Sequence, residues 1–88
     1  MGLRIVRWEP TPNPSAMKAV IEAGAGGRPR SYLSASQAAE DPIASGLFAI
    51  EGVANVLIHE SFITVGKAPG AAWGPIRRRA TAVIEGGP

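Results

Sequence analysis

Few residues in this chain are of types that do chemistry, and their spacing limits what they can do. His59 is the one histidine, and it stands beside Glu60 and Ser61. A histidine and a serine two residues apart form a nucleophile–base pair only if a third group orients the ring, and a neighbour in sequence does not establish that geometry. There is no cysteine, which removes thiolate catalysis, disulfides and Cys-ligated zinc or iron–sulfur sites. One imidazole without thiolates cannot supply the three or four ligands that a transition metal takes. No Gly-rich phosphate motif is present. Catalytic residues and metal ligands are therefore expected to be none, and the chain reads as a non-enzyme with no cofactor. Two other groups could bind rather than react. Thr11-Pro12-Asn13-Pro14 combines a hydroxyl and an amide with two residues of fixed φ, so its polar groups are held in place at little entropic cost. Arg77-Arg78-Arg79 is the only run of like charge, suited to phosphate or to an acidic partner. Each also has a plain structural explanation, as a stiff turn and as the solvated face of a helix.

These groups must be positioned by regular elements. Leu3 to Glu9 is rich in β-branched and bulky residues and stops at Pro10. It reads as a strand, with Leu3 and Ile5 on one face and Val6 and Trp8 on the other. Met17 to Glu22 reads as a second strand, antiparallel to the first. Gly24-Ala25-Gly26-Gly27 makes a loop, and Arg30 to Leu33 a short third strand. Ser34-Ala35-Ser36-Gln37 fits a capping box opening a short helical stretch. Asp41-Pro42 is a second start, with a side-chain acceptor at the cap and Pro at the first helical position. Ile43, Leu47 and Ile50 recur at helical spacing and Gly52 closes that helix. Val53 to Ile58 and Phe62 to Val65 are strands joined across His59-Glu60-Ser61, with Gly66 marking a bulge or the close of the strand. Trp73, Ile76, Ala80, Val83 and Ile84 fall in one helical stripe, flanked by Arg77 and Arg79, with Arg78 pointing away. Pro75 is tolerable only in the first turn of that helix, which Gly86-Gly87-Pro88 ends. The expected fold is α+β, β-β-(β)-α-β-β-α: a two-layer sandwich with an antiparallel sheet of four to five strands and both helices on one face.

Bulk properties bound the class. The chain has 88 residues, 45% hydrophobic and 18% charged, which suits one globular domain over residues 1–88. Net charge is +2, too small to imply a nucleic-acid partner. No apolar run reaches the ~18 residues of a membrane span, and the first residues carry no apolar leader core. A cytoplasmic protein without a membrane partner is the expectation.

Several pieces stand out in order: Thr11-Pro12-Asn13-Pro14, Asp41-Pro42-Ile43-Ala44, Leu47-Phe48-Ala49-Ile50-Glu51-Gly52-Val53, Phe62-Ile63-Thr64-Val65 with Lys67, and Trp73. At these separations they resemble the N-terminal domain of the Nfu/NifU iron–sulfur scaffold proteins, over roughly Ile5 to Glu85. Ser15, Ile43 and Gly66 stand where the family often has Asn, Leu and Thr. Full proteins of this family continue into a second domain whose Cys-x-x-Cys pair carries the cluster, and this sequence has no such pair. The resemblance implies a protein-binding or auxiliary module in iron–sulfur cluster assembly or transfer that is not itself a cluster carrier. Its partner would be a protein of that machinery, for example a domain carrying the Cys-x-x-Cys cluster. The binding surface is expected at Thr11, Asn13 and Pro14, with Trp73 as neighbour. Two alternatives stay open: a protein-interaction domain unrelated to iron–sulfur chemistry, and a weak phosphate or nucleic-acid binder using Arg77, Arg78 and Arg79 with Arg28 and Arg30.

Overall fold

A computed structural model describes residues 3–22 and 28–86; the expected loop over 24–27 and the terminal 87–88 lie outside them. Among the described residues seven elements succeed one another: β1 (Ile5–Pro10), β2 (Ala16–Ile21), β3 (Arg30–Tyr32), α1 (Pro42–Phe48), β4 (Val53–Ile58), β5 (Phe62–Lys67) and α2 (Trp73–Gly86). The strands form one sheet in the order β1-β2-β5-β4-β3, and every pairing is antiparallel. The fold is α+β with five strands.

Alternation along the strands decides which face is covered. Ala19 and Ile21 of β2, Ile63 and Val65 of β5, and Val56 and Ile58 of β4 are all buried, and the register sets them side by side. The helices close this face with Ala44 and Leu47 of α1 and Ile76, Ala80 and Ile84 of α2. Each fully buried Ile, Leu or Val contributes about 1.5–3 kcal/mol relative to exposure, so this layer is the main stabilising contact.

The first strand departs from simple alternation. The register slips between Ile5 and Arg7, so Ile5 lies opposite Ile21 and Trp8 opposite Ala19. Ile5 and Trp8 therefore share the core face, where alternation alone puts them on opposite faces. Val6 is left outside, 53% exposed. A second slip falls on β4 between Val53 and Asn55, across from Gly66. The irregularity expected at Gly66 thus belongs to the strand that faces it.

The capping-box segment also differs from its expectation. Gln37 N donates to Ser34 Oγ (3.3 Å), the forward bond of a capping box, but Gln37 Oε1 accepts from Leu33 N (2.8 Å) in place of Ser34 N. The chain beyond them runs through successive turns rather than a helix, with Ala38 N bonded to Ala35 O and Asp41 N to Ala38 O. The apolar residue needed to hold a helix down is reduced to Ala38, and Leu33 is 74% exposed. Asp41 starts the helix instead. Its backbone is extended and its Oδ1 accepts from Ile43 N and Ala44 N, both at 3.2 Å, with Pro42 at the first helical position. The helix ends at Ala49, and Gly52 turns the chain into β4 with φ of +96°. A Cβ there would also sit 3.0 Å from Ala71 Cβ.

Candidate functional site

The four residues expected to form a surface do meet. Thr11 to Ser15 joins β1 to β2 and is stapled from within. Thr11 Oγ1 accepts from Asn13 N (3.1 Å) and reaches the carbonyls of Asn13 (2.8 Å) and Ala16 (3.1 Å). Asn13 Oδ1 accepts from Ser15 N (2.9 Å), and Ala16 N closes back on Asn13 O (3.0 Å). Pro12, Asn13 and Pro14 remain exposed. The loop is thus fixed by its own side chains while its outer atoms stay in water.

Trp73, at the start of α2, ties this loop to the helix layer. Its indole N–H donates to Pro14 O (3.3 Å), and Lys67 Nζ sits over the ring, 5.9 Å from its centroid. Lys67 N in turn donates to Ser15 O (2.8 Å). The far end of β5, the loop and the first turn of α2 therefore converge. Of these, Lys67 was visible in the sequence only as part of the motif.

The other tryptophan makes a second junction. Trp8 is half-buried on β1, and its indole N–H donates to Thr81 Oγ1 (3.2 Å). The Thr81 hydroxyl donates in turn to Arg77 O (2.8 Å), one turn earlier. Trp8, Gly74, Arg77, Arg78 and Thr81 line an open cleft of about 260 Å³ between β1 and α2. Arg79 lies on the other side of the helix, in a cleft with Gly52, Pro75 and Ile76. The arginine run is therefore split: Arg77 and Arg79 flank the apolar stripe as expected, while Arg78 accompanies Arg77. Thr81 gave no signal in the sequence, because only the bulge in β1 turns Trp8 toward it.

A third cluster gathers at the opposite edge of the sheet. Arg30 and Tyr32 lie on β3, opposite Ile58 and Val56, and so face the helices. Arg30 Nε donates to Asp41 Oδ2, and Tyr32 O–H donates to the same oxygen (3.0 Å). Asp41 is only 9% exposed. Burial opposes its charge, but the Arg30 hydrogen bond, the Ala44 N–H and the Tyr32 hydroxyl together hold its carboxyl below the ordinary value. Burial, reinforced by Asp41, pushes the Tyr32 hydroxyl up. This explains why Arg30 does not join Arg77 and Arg78: it sits on the other edge strand, paired to the cap of α1. The five-arginine surface weighed in the sequence does not assemble.

His59 lies at the β4–β5 hairpin, stacked on Phe62 with ring centroids 4.5 Å apart. Its Nδ1 accepts from Ser61 N (3.3 Å) and lies 3.5 Å from Ser61 Oγ. The imidazole is thereby used as a turn element.

Comparison with known proteins decides what this arrangement belongs to. The family model described as the scaffold protein Nfu/NifU N terminal matches residues 6–86. The chain belongs to this family. The NFU1 iron–sulfur cluster scaffold homolog of Drosophila willistoni, named as mitochondrial, is 35% identical over 96% of the chain. The mitochondrial NifU-like protein 5 of Arabidopsis thaliana is 32% identical over 90% of it. This Nfu N-terminal domain spans only 30% and 29% of those relatives. Among solved structures, the Staphylococcus aureus protein SAV1430 superposes with a TM-score of 0.77 at 25% identity, over 93% of this chain and 99% of that one. A NifU-like protein from Saccharomyces cerevisiae shares the fold with a TM-score of 0.75 at 19% identity, over 91% of this chain and 73% of that one. These names contradict the expectation of a cytoplasmic protein: the Drosophila and Arabidopsis relatives are both named as mitochondrial. An apolar leader core speaks to secretion alone, so that criterion does not discriminate the cytoplasm from an organelle. Among the described residues no helix is long and apolar enough to cross a membrane.

Proposed function

We propose that this Nfu N-terminal domain is a non-enzymatic protein-binding module of iron–sulfur cluster assembly or transfer, and that it does not itself carry the cluster. The observation that carries the reading is the Thr11–Pro14 loop: exposed at Pro12, Asn13 and Pro14, yet fixed by the hydrogen bonds of its own Thr11 and Asn13 side chains and by Trp73. A loop already held in one shape loses little conformational entropy on docking, so its exposed atoms can support binding without a large cavity. The sequence has no cysteine, so the domain supplies no thiolate of its own. The Drosophila relative is named a cluster scaffold homolog, which supports a partner from that machinery, for example the Cys-x-x-Cys domain. The test is an amide NMR titration of the labelled domain with a separately expressed Cys-x-x-Cys domain, with and without its cluster. Saturable shifts centred on Thr11 to Ser15 and Trp73 are expected. A folded domain that shows no shifts near ~1 mM partner, a level weaker than about −4 kcal/mol of binding, refutes this partner and leaves an interaction module of another kind.

A further inference from the structure

The cleft between β1 and α2 has features that its structural role does not use. Trp8, Gly74 and Thr81 make its floor and walls, and the internal needs of this junction are already met: the Trp8 N–H has Thr81, and the Thr81 hydroxyl has Arg77 O. Arg77 and Arg78 stand at its rim, both exposed, and among the described residues neither forms an ion pair. The other basic side chains near β1 are engaged, Arg4 with Glu22, and Arg7 and Lys18 with Glu9. Two guanidiniums lining one cleft with an indole, beside strands whose cations are already neutralised, form a local positive site on a domain of small net charge.

We infer that this cleft binds an acidic, extended segment of a partner protein, with Arg77 and Arg78 taking its carboxylates and the Trp8 ring taking the apolar stem between them. The charge around the cleft selects this occupant. Glu85 lies one turn beyond Thr81 on α2 with its Oε2 bonded to Ile5 N (3.0 Å), while Glu9 is taken up by Arg7 and Lys18. A polyanion with one charge on every unit, such as a nucleic acid, would meet the Glu85 carboxylate and gain little from a net charge of +2, whereas a peptide can place its few acidic side chains at the arginines alone. The opening of about 260 Å³ accommodates one or two side chains rather than a backbone with bases. The cleft lies close to the loop along the chain: β1 runs from Trp8 through Pro10 to Thr11, and Gly74 follows Trp73. The inference rests on the cleft itself and not on the iron–sulfur reading.

The experiment uses the whole chain and, as probe, a synthetic peptide of alternating glutamate and glycine, with its glutamine counterpart as control. Binding is followed by the indole N–H signals of Trp8 and Trp73. The Trp8 signal is expected to shift saturably with the glutamate peptide only, and the shift should weaken several-fold as salt is raised until the Debye length falls to about 3 Å. The double substitution Arg77→Gln and Arg78→Gln, at exposed positions, is expected to reduce affinity roughly tenfold to thirtyfold, as two exposed pairs at up to about 1 kcal/mol each would give. Trp73→Phe should leave peptide binding intact while disturbing the Thr11–Pro14 signals, so failure at the cleft and failure at the loop are distinguishable. Equal binding of the glutamine peptide, unchanged affinity in the double variant, or tighter binding of inorganic phosphate or single-stranded DNA at the same signals would overturn the inference.

Discussion

Replacing Asp41 by alanine tests the buried polar contact between β3 and α1. The carboxylate does two jobs. Its Oδ1 caps α1 through Ile43 N and Ala44 N, and its Oδ2 receives Arg30 and Tyr32. Loss of an N-cap costs about 1 kcal/mol. Hydrogen bonds to a charged group are worth about 1.5–3 kcal/mol, reduced here to roughly 1–2 because the Arg30 side chain is partly in water. The sum is about 2–3 kcal/mol, which for a domain of this size lowers Tm by roughly 8–24 °C. Asp41→Asn separates the two contributions, since its amide oxygen can still cap the helix while the charge is gone. The folded carboxyl titrates below its ordinary 3.8, so its stabilisation is complete above that value and is lost as pH falls through the folded pKa. Urea unfolding at a series of pH values is the assay. The gap between wild type and Asp41→Asn should be constant from neutral pH down to about pH 5 and close progressively in more acid solution. A gap that does not change with pH, or an alanine variant less than about 0.5 kcal/mol below wild type, would refute the account of Asp41 as a charged clasp between β3 and α1.

Other perturbations probe separate contacts. Gly52→Ala forces a side chain onto a φ of +96° and within 3.0 Å of Ala71 Cβ, and should lower stability by about 1–3 kcal/mol in denaturant melts. Thr81→Val keeps the shape but removes the acceptor of the Trp8 N–H; a loss of about 1 kcal/mol is expected, with a displaced Trp8 indole proton resonance. Thr11→Val deletes the hydroxyl that both accepts from Asn13 N and donates within the turn, and should raise hydrogen exchange across 13–16 with a loss of about 1 kcal/mol, while leaving the helices protected.

Much of the fold was legible because local signals agreed with one another. Asp41-Pro42 marked the start of α1, the stripe of Ile76, Ala80 and Ile84 marked the buried side of α2, and the spacing across His59 to Ser61 gave the hairpin. The failures have physical causes that local reading does not contain. A strand slip of one residue reverses every later side chain, so the bulge near Val6 moved Trp8 to the core side. The residues 34–40 carried a start signal without apolar periodicity behind it, and settled as turns. The loop residues could be named from their types, and the contact of Pro14 with Trp73 fits their pairing, but Arg30 with Asp41 and Trp8 with Thr81 are brought together only by sheet register and helix docking.

The strand order has a consequence for how the domain is made. β5 is the middle strand of the sheet, yet it comes after all the other strands in the chain. Until it is present, β1 with β2 and β3 with β4 are separate hairpin-sized pieces, each with an uncovered apolar face. Leu3 N, bonded to Ile84 O, adds a closing contact between regions at opposite ends of the described chain (2.9 Å). A nascent chain emerging from a ribosome would therefore hold no stable part of this domain until β5 and α2 had cleared the exit tunnel. Assembly would then be a single late event dominated by distant pairings, which sets a slow folding rate for so short a chain.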